Sequence, residues 1–130
     1  MATWVEELYE DTFDGTLEEH DLLFVDFYAD WCGPCKAVAP VVERVAREYA
    51  GRVAFGKLNT EGNPLIARRY GIRSIPTMMV FARGKPVSRA GGFQPETRIR
   101  AMLDPHAPPP PAEPPPPARS GGLLSRLLGR

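Results

Sequence analysis

The run from Leu22 to Ala29 is apolar at every position but Asp26, and it passes through Asp30 into Trp31-Cys32-Gly33-Pro34-Cys35-Lys36. A strand covered on both faces reads this way. Gly33-Pro34 ends the extended run, and Pro34 suits the first turn of a helix. Beyond it, Val38, Val41, Val42, Val45, Ala46 and Tyr49 recur at helical spacing. Cys32 and Cys35 therefore stand at a strand-to-helix junction, at the positive end of the helix dipole, where a thiol is shifted toward thiolate. The chemistry suggested by this placement is dithiol–disulfide exchange.

The chain has 130 residues, enough for one domain with a real core. Its elements can be read in order. Val5 to Leu8 suits a short edge strand, and Asp11-Thr12-Phe13-Asp14 the cap and first turn of a helix reaching about Glu19. The strand Leu22 to Ala29 and the helix from about Pro34 to Tyr49 follow, with Pro40 inside the helix removing one backbone hydrogen bond. Val53 to Asn59 reads as a second central strand, reached by a crossover helix and so parallel to the first. Asn63-Pro64 is expected to cap a short helix to Tyr70, closed by Gly71. Thr77 to Phe81 and Pro86 to Ala90 make a hairpin about Arg83-Gly84-Lys85, broken by Gly91-Gly92, and Pro95 to Leu103 is a last helix. Trp4, Met78 and Met79 are expected to pack. The result is an α/β fold with a mixed central sheet flanked by helices.

From Pro105 the composition changes. Nine of the 15 prolines lie between Pro105 and Pro117, which calls for an extended polyproline spacer at about 3 Å per residue. The expected organisation is a domain over residues 1–104, a proline- and glycine-rich linker over 105–122, and a short tail over 123–130. That tail sets four leucines against two arginines. It is expected to be disordered, or to dock on a protein groove or a membrane surface.

Charge and cysteine content narrow the function. The 16 basic and 16 acidic residues cancel, so no nucleic-acid partner is expected. The halves differ, with −9 over residues 1–50 and +9 over 51–130, which reads as two surfaces of one fold. Residues 1–7 have neither a basic region nor an apolar core, so no secretory signal is expected and the chain reads as cytoplasmic. The only two cysteines, in this spacing, point to redox or metal work. With only His20 and His106 to join them, four converging metal ligands are not expected, and no metal site is assigned.

The segment Trp31-Cys32-Gly33-Pro34-Cys35-Lys36 resembles thioredoxins, with Asp26 before it and Pro40 and Lys57 after it. Gly71-Ile72-Arg73-Ser74-Ile75-Pro76-Thr77, Gly84 and Gly92 continue the resemblance, which covers about residues 5–103. Tyr28 stands where tryptophan is most common, Glu61 where aspartate is frequent, and Pro105 cuts the last helix short, which should thin the cover on that face of the sheet. The resemblance implies a thioredoxin fold and a protein disulfide reductase. It needs no cofactor beyond a redox-active Cys32–Cys35 disulfide. An NADPH-dependent flavoprotein reductase would recharge it, and its substrates would be proteins with accessible disulfides.

The resemblance also assigns roles. Cys32 would attack a substrate disulfide, and Cys35, one turn on, would resolve the mixed disulfide. Asp26, costly as a buried charge, would act as general acid and base toward Cys35, with Lys57 beside it as the other member of the catalytic set. A structural Asp26–Lys57 pair is the alternative. Ile75 and Pro76, joined by a cis bond, would present backbone to an extended substrate segment; Pro76 otherwise opens an edge strand. Trp31, Gly33, Pro34, Gly91 and Gly92, with Phe93, would complete a flat substrate-binding platform. Gly33-Pro34 places no cation between the cysteines, and a less stabilised thiolate favours the disulfide form, making the dithiol a reductant. Two rivals remain. One is a non-catalytic binding subunit using the same platform and tail. The other is an oxidase or isomerase.

Overall fold

The computed structural model describes residues 3–111. Among them, the chain runs β1 (Glu6–Leu8), α1 (Phe13–Glu19), β2 (Leu22–Tyr28), α2 (Gly33–Glu48), β3 (Ala54–Asn59), α3 (Pro64–Arg69), β4 (Thr77–Ala82), β5 (Lys85–Gly91) and α4 (Glu96–Leu103). The strands form one sheet in the order β1-β3-β2-β4-β5. The crossover through α2 makes β2 and β3 parallel, as does the longer return from β1 to β3. β4 and β5 run antiparallel to their neighbours. At the hairpin, Arg83 and Gly84 both take positive φ, the conformation that tight two-residue connections require.

The apolar run of β2 is explained by its central place. Leu22 and Phe24 face α2 and α4, in a core with Val38, Val42, Val45, Met78 and Ile99. Leu23, Val25 and Phe27 face the opposite layer, with Phe13 of α1 and Ile66 of α3. The two methionines divide in the same way, Met78 into the first layer and Met79 into the second. On the first face, Arg100 joins Glu48 of α2 and Glu96 of its own helix, and Arg44 joins Glu96, so α4 is laced to α2. α4 is only eight residues long, but Ala107, beyond Pro105, folds back against the same core. Arg52 donates to the Pro108 carbonyl there. The tail over 123–130, and the linker from residue 112, lie outside the described residues.

Local expectations fail at three places where long-range partners decide the outcome. Trp4 is 51% exposed; only its backbone N–H is engaged, donating to Glu43. Thr12 stands at the start of α1 without a side-chain cap, and its hydroxyl turns back to the Tyr9 carbonyl. Asn63 precedes α3 but does not cap it. Its buried amide accepts from the Glu10 N–H and donates to the Asn59 carbonyl. Glu10, from across the fold, accepts from the Leu65 N–H in the first turn of α3.

Gly56 is where β1 meets β3, and it has no room for a side chain. A Cβ there would lie 2.5 Å from a methyl carbon of buried Leu8 and 2.6 Å from its Cγ. Gly56→Ala is expected to cost about 1–3 kcal/mol through overpacking. In urea it should lower the unfolding midpoint at unchanged slope.

Candidate active site

β2 and β4 are antiparallel, so the carboxyl end of β2 and the amino end of β4 meet, and the end of β5 lies beside them through the Thr77–Gly91 pair. The turn from Tyr28 into α2 brings the two cysteines to this rim. Cys32 has extended backbone angles and occupies the cap position of α2. Its sulfur accepts from the Cys35 N–H at 3.2 Å, the part that a serine or aspartate oxygen plays at other helix starts. Cys32 and Cys35 are joined in a disulfide with Cα atoms 5.2 Å apart. When that bond opens, the same amide and the end of the helix dipole favour a negative charge on Cys32.

The remaining platform residues gather around this pair. The Ile75 carbonyl oxygen lies 3.8 Å from Cys32 Sγ, and the Ile75–Pro76 bond is cis. Pro76 is buried and leads into an internal strand, so it does not open a sheet edge. Its carbonyl accepts from the Gly92 N–H at 2.7 Å, and Gly92 has φ +84°, a region that suits glycine. Gly33, Pro34 and Gly91 are exposed, and Ile75 is half-buried. Trp31 is 67% exposed, its indole N–H donating to Glu61 at 2.6 Å. Phe93 is exposed as well. The cysteines themselves are only 3% and 4% exposed.

Behind the disulfide, Asp26 is 4% exposed and its Oδ1 has no partner. A cavity of about 170 Å³ is lined by Asp26, Cys35, Lys36, Tyr28, Asp30 and Lys57. It joins the carboxyl group to the second cysteine and is large enough to admit water. Burial pushes the Asp26 carboxyl up to about 7; Lys57 pulls against this and Glu7 adds to it. The structural Asp26–Lys57 pair is not formed: the Lys57 ammonium pairs instead with Glu7, at 4.0 Å.

Glu7 beside this site was missed by sequence reasoning, and Tyr28 and Glu61 were read there only as departures from the common pattern, without their hydrogen bonds. The Tyr28 O–H donates to the Glu7 carboxylate, 2.9 and 2.7 Å from its two oxygens. A tyrosine in a place usually held by tryptophan is itself a signal, because a partly buried phenol needs an acceptor. Its partner on the neighbouring edge strand is visible only once the register is known.

Three comparisons bear on this site. The Thioredoxin family model matches residues 4–105. Among curated proteins, thioredoxin 1 of Nostoc sp. is 43% identical over 101 residues, 77% of this chain and 94% of the relative. Thioredoxin 1 of Synechococcus elongatus is 48% identical over 90 residues, 69% of this chain and 84% of its own length. Among solved structures, a mutant thioredoxin from Halobacterium salinarum NRC-1 superposes with a TM-score of 0.73 at 33% identity, covering 85% of this chain and 99% of the other.

Proposed function

The chain belongs to the thioredoxin family, and from that premise we propose a division of labour among its site residues. The protein is a thioredoxin-type protein-disulfide reductase working through Cys32 and Cys35. The observation that carries the mechanism is the Cys32 sulfur seated on the Cys35 N–H at the start of α2. As thiolate, Cys32 attacks one sulfur of a substrate disulfide. The substrate S–S bond breaks, its other sulfur leaves as thiolate and takes a proton, and a mixed disulfide remains on Cys32. Cys35 then gives its proton to the Asp26 carboxylate through the shared cavity and attacks Cys32. The second substrate thiol is released and the Cys32–Cys35 disulfide forms, with two electrons passed to the substrate.

Lys57 moderates the charge on Asp26. Ile75 offers backbone groups to an extended substrate segment, and Pro76, Gly91 and Gly92 keep that approach flat. Trp31, held by Glu61, walls the other side with Gly33 and Pro34. The cycle calls for no prosthetic group beyond the disulfide. We assign recharging to an NADPH-dependent thioredoxin reductase and place the reaction in the cytoplasm, where such reductants keep thiols reduced. No helix among the described residues is long and apolar enough to cross a membrane. We assign residues 1–104 to the catalytic domain, 105–122 to a linker and 123–130 to a docking tail, whose protein or membrane partner would be lost on deleting residues 112–130. A purely scaffolding use is not favoured, since a scaffold has no need of a reactive cysteine pair backed by a buried acid.

The test is capture. Cys35→Ser removes the resolving thiol, so client proteins should stay joined to Cys32 as mixed disulfides that run as heavier bands and vanish on adding dithiothreitol. If no such adducts form with a reducible protein disulfide in excess, the proposed order of attack is wrong.

A further inference from the structure

Glu7, Lys57 and Asp26 form one transverse row of the sheet. Glu7 is the register partner of Lys57 across β1 and β3, and Asp26 is its partner across β3 and β2. Side chains in register on parallel strands share a face, here the face packed by α2, which carries Cys35. Lys57 thus stands between two carboxyl groups and contacts only the outer one, Glu7. Glu7 is in turn held by the Tyr28 hydroxyl, bonded to both of its oxygens. The Lys57 ammonium also lies 5.5 Å from the Tyr28 ring centroid, a second attraction that helps hold it in place.

We propose that Glu7 is a positioning residue for the proton step: clamped by Tyr28, it draws the Lys57 ammonium outward and leaves the Asp26 carboxyl group without a contacting cation. The proposal rests on the reading of Asp26 as the base that accepts the Cys35 proton. A base serves best when its proton affinity matches the working pH. A lysine in direct contact would weaken Asp26 as a base, and Glu7 prevents that contact. The groups facing Asp26 are few. β3 contributes Lys57 and β1 contributes Glu7; α2 contributes Cys35 and Lys36; β2 and its following loop contribute Tyr28 and Asp30. From β4 the register neighbour is Met78, which does not titrate. Only the Glu7–Lys57 pair among these carries opposite charges in contact. Burial and Glu7 push the Asp26 carboxyl up while Lys57 pulls it down, in agreement with this geometry.

The experiment follows the Asp26 carboxyl by carbon NMR titration of the full chain, in four forms: wild type, Glu7→Gln, Lys57→Met and the double variant. Glu7→Gln keeps the size of the side chain and an oxygen for Tyr28. It should move the Asp26 midpoint down by about two pH units, the smaller part from losing one charge two strand spacings away and the larger part from the freed Lys57 ammonium coming into contact with Asp26. In the Lys57→Met background the same change should move it by less than half as much, because the lysine through which Glu7 acts is gone. Equal shifts in both backgrounds, or no shift in either, would overturn the proposal. The pH dependence of disulfide exchange, measured on the same proteins, should move with the NMR midpoint. If the midpoint moves and the rate profile does not, Glu7 still positions Lys57, and it is the role of Asp26 as base that fails.

Discussion

Replacing Cys32 by serine is expected to lower the rate of protein-disulfide reduction by at least about a thousandfold, the scale on which loss of an essential nucleophile is read. The argument is chemical, because the geometry survives the change. Serine is among the favoured residues at a helix cap, so its hydroxyl can keep the Cys35 N–H that the sulfur now holds. What is lost is a group that ionises near neutrality and attacks sulfur. With both proteins reduced, wild type and Cys32→Ser should unfold at nearly the same temperature. The measurement is turnover of a reducible protein disulfide with excess small-molecule dithiol as electron source. A variant keeping more than about a tenth of the wild-type rate would move the nucleophile elsewhere.

Asp26→Asn is expected to stabilise the protein by about 4 kcal/mol at pH 8 and to leave it unchanged at pH 3. The Asp26 carboxyl has an ordinary value of 3.8 and is raised to about 7 in the fold, first by burial. Below about pH 3.8 it is protonated in both the folded and the unfolded chain and costs nothing through ionisation. Between 3.8 and 7 the unfolded chain gives up the proton and the folded chain does not, so stability falls as pH rises. Above 7 the folded protein holds a buried carboxylate and the loss is complete. Asparagine has nearly the same shape and never ionises. Urea denaturation at several pH values should therefore give curves for the two proteins that coincide in acid and part steadily up to about pH 7. A constant difference across that range would mean that folding leaves the Asp26 carboxyl at its ordinary value.

The part of this molecule legible from its sequence is the part governed by near neighbours. β2 and α2 could be read because alternate covering of a central strand and the period of a helix leave patterns over a few residues. Asp26 stood out as the one break in an apolar run. The cis bond before Pro76 and the platform of Ile75, Gly91 and Gly92 came through resemblance; nothing in local spacing alone brings residues 32, 75 and 92 together. Where partners were distant, the reading failed. Asn63 looked like a helix cap, yet its amide serves the backbone of Glu10 and Asn59, while Glu10 supplies the cap. An Asp26–Lys57 pair is the alternative the sequence left open, and in-register strands do make them neighbours. Glu7 is the lysine's neighbour on the other side, and it takes the contact. A three-residue edge strand carries too little pattern to announce that register.

Pro105, His106 and Pro108 line a hollow with Leu22, Gly51 and Ala82, and Leu22 begins the strand whose far end leads to Cys32. Residues 105–108 thus lie roughly 20 Å, a seven-residue strand's length, from the reactive sulfur. A label attached at Pro105 or His106 would sit on the back of the molecule and leave the face that meets clients open to solution.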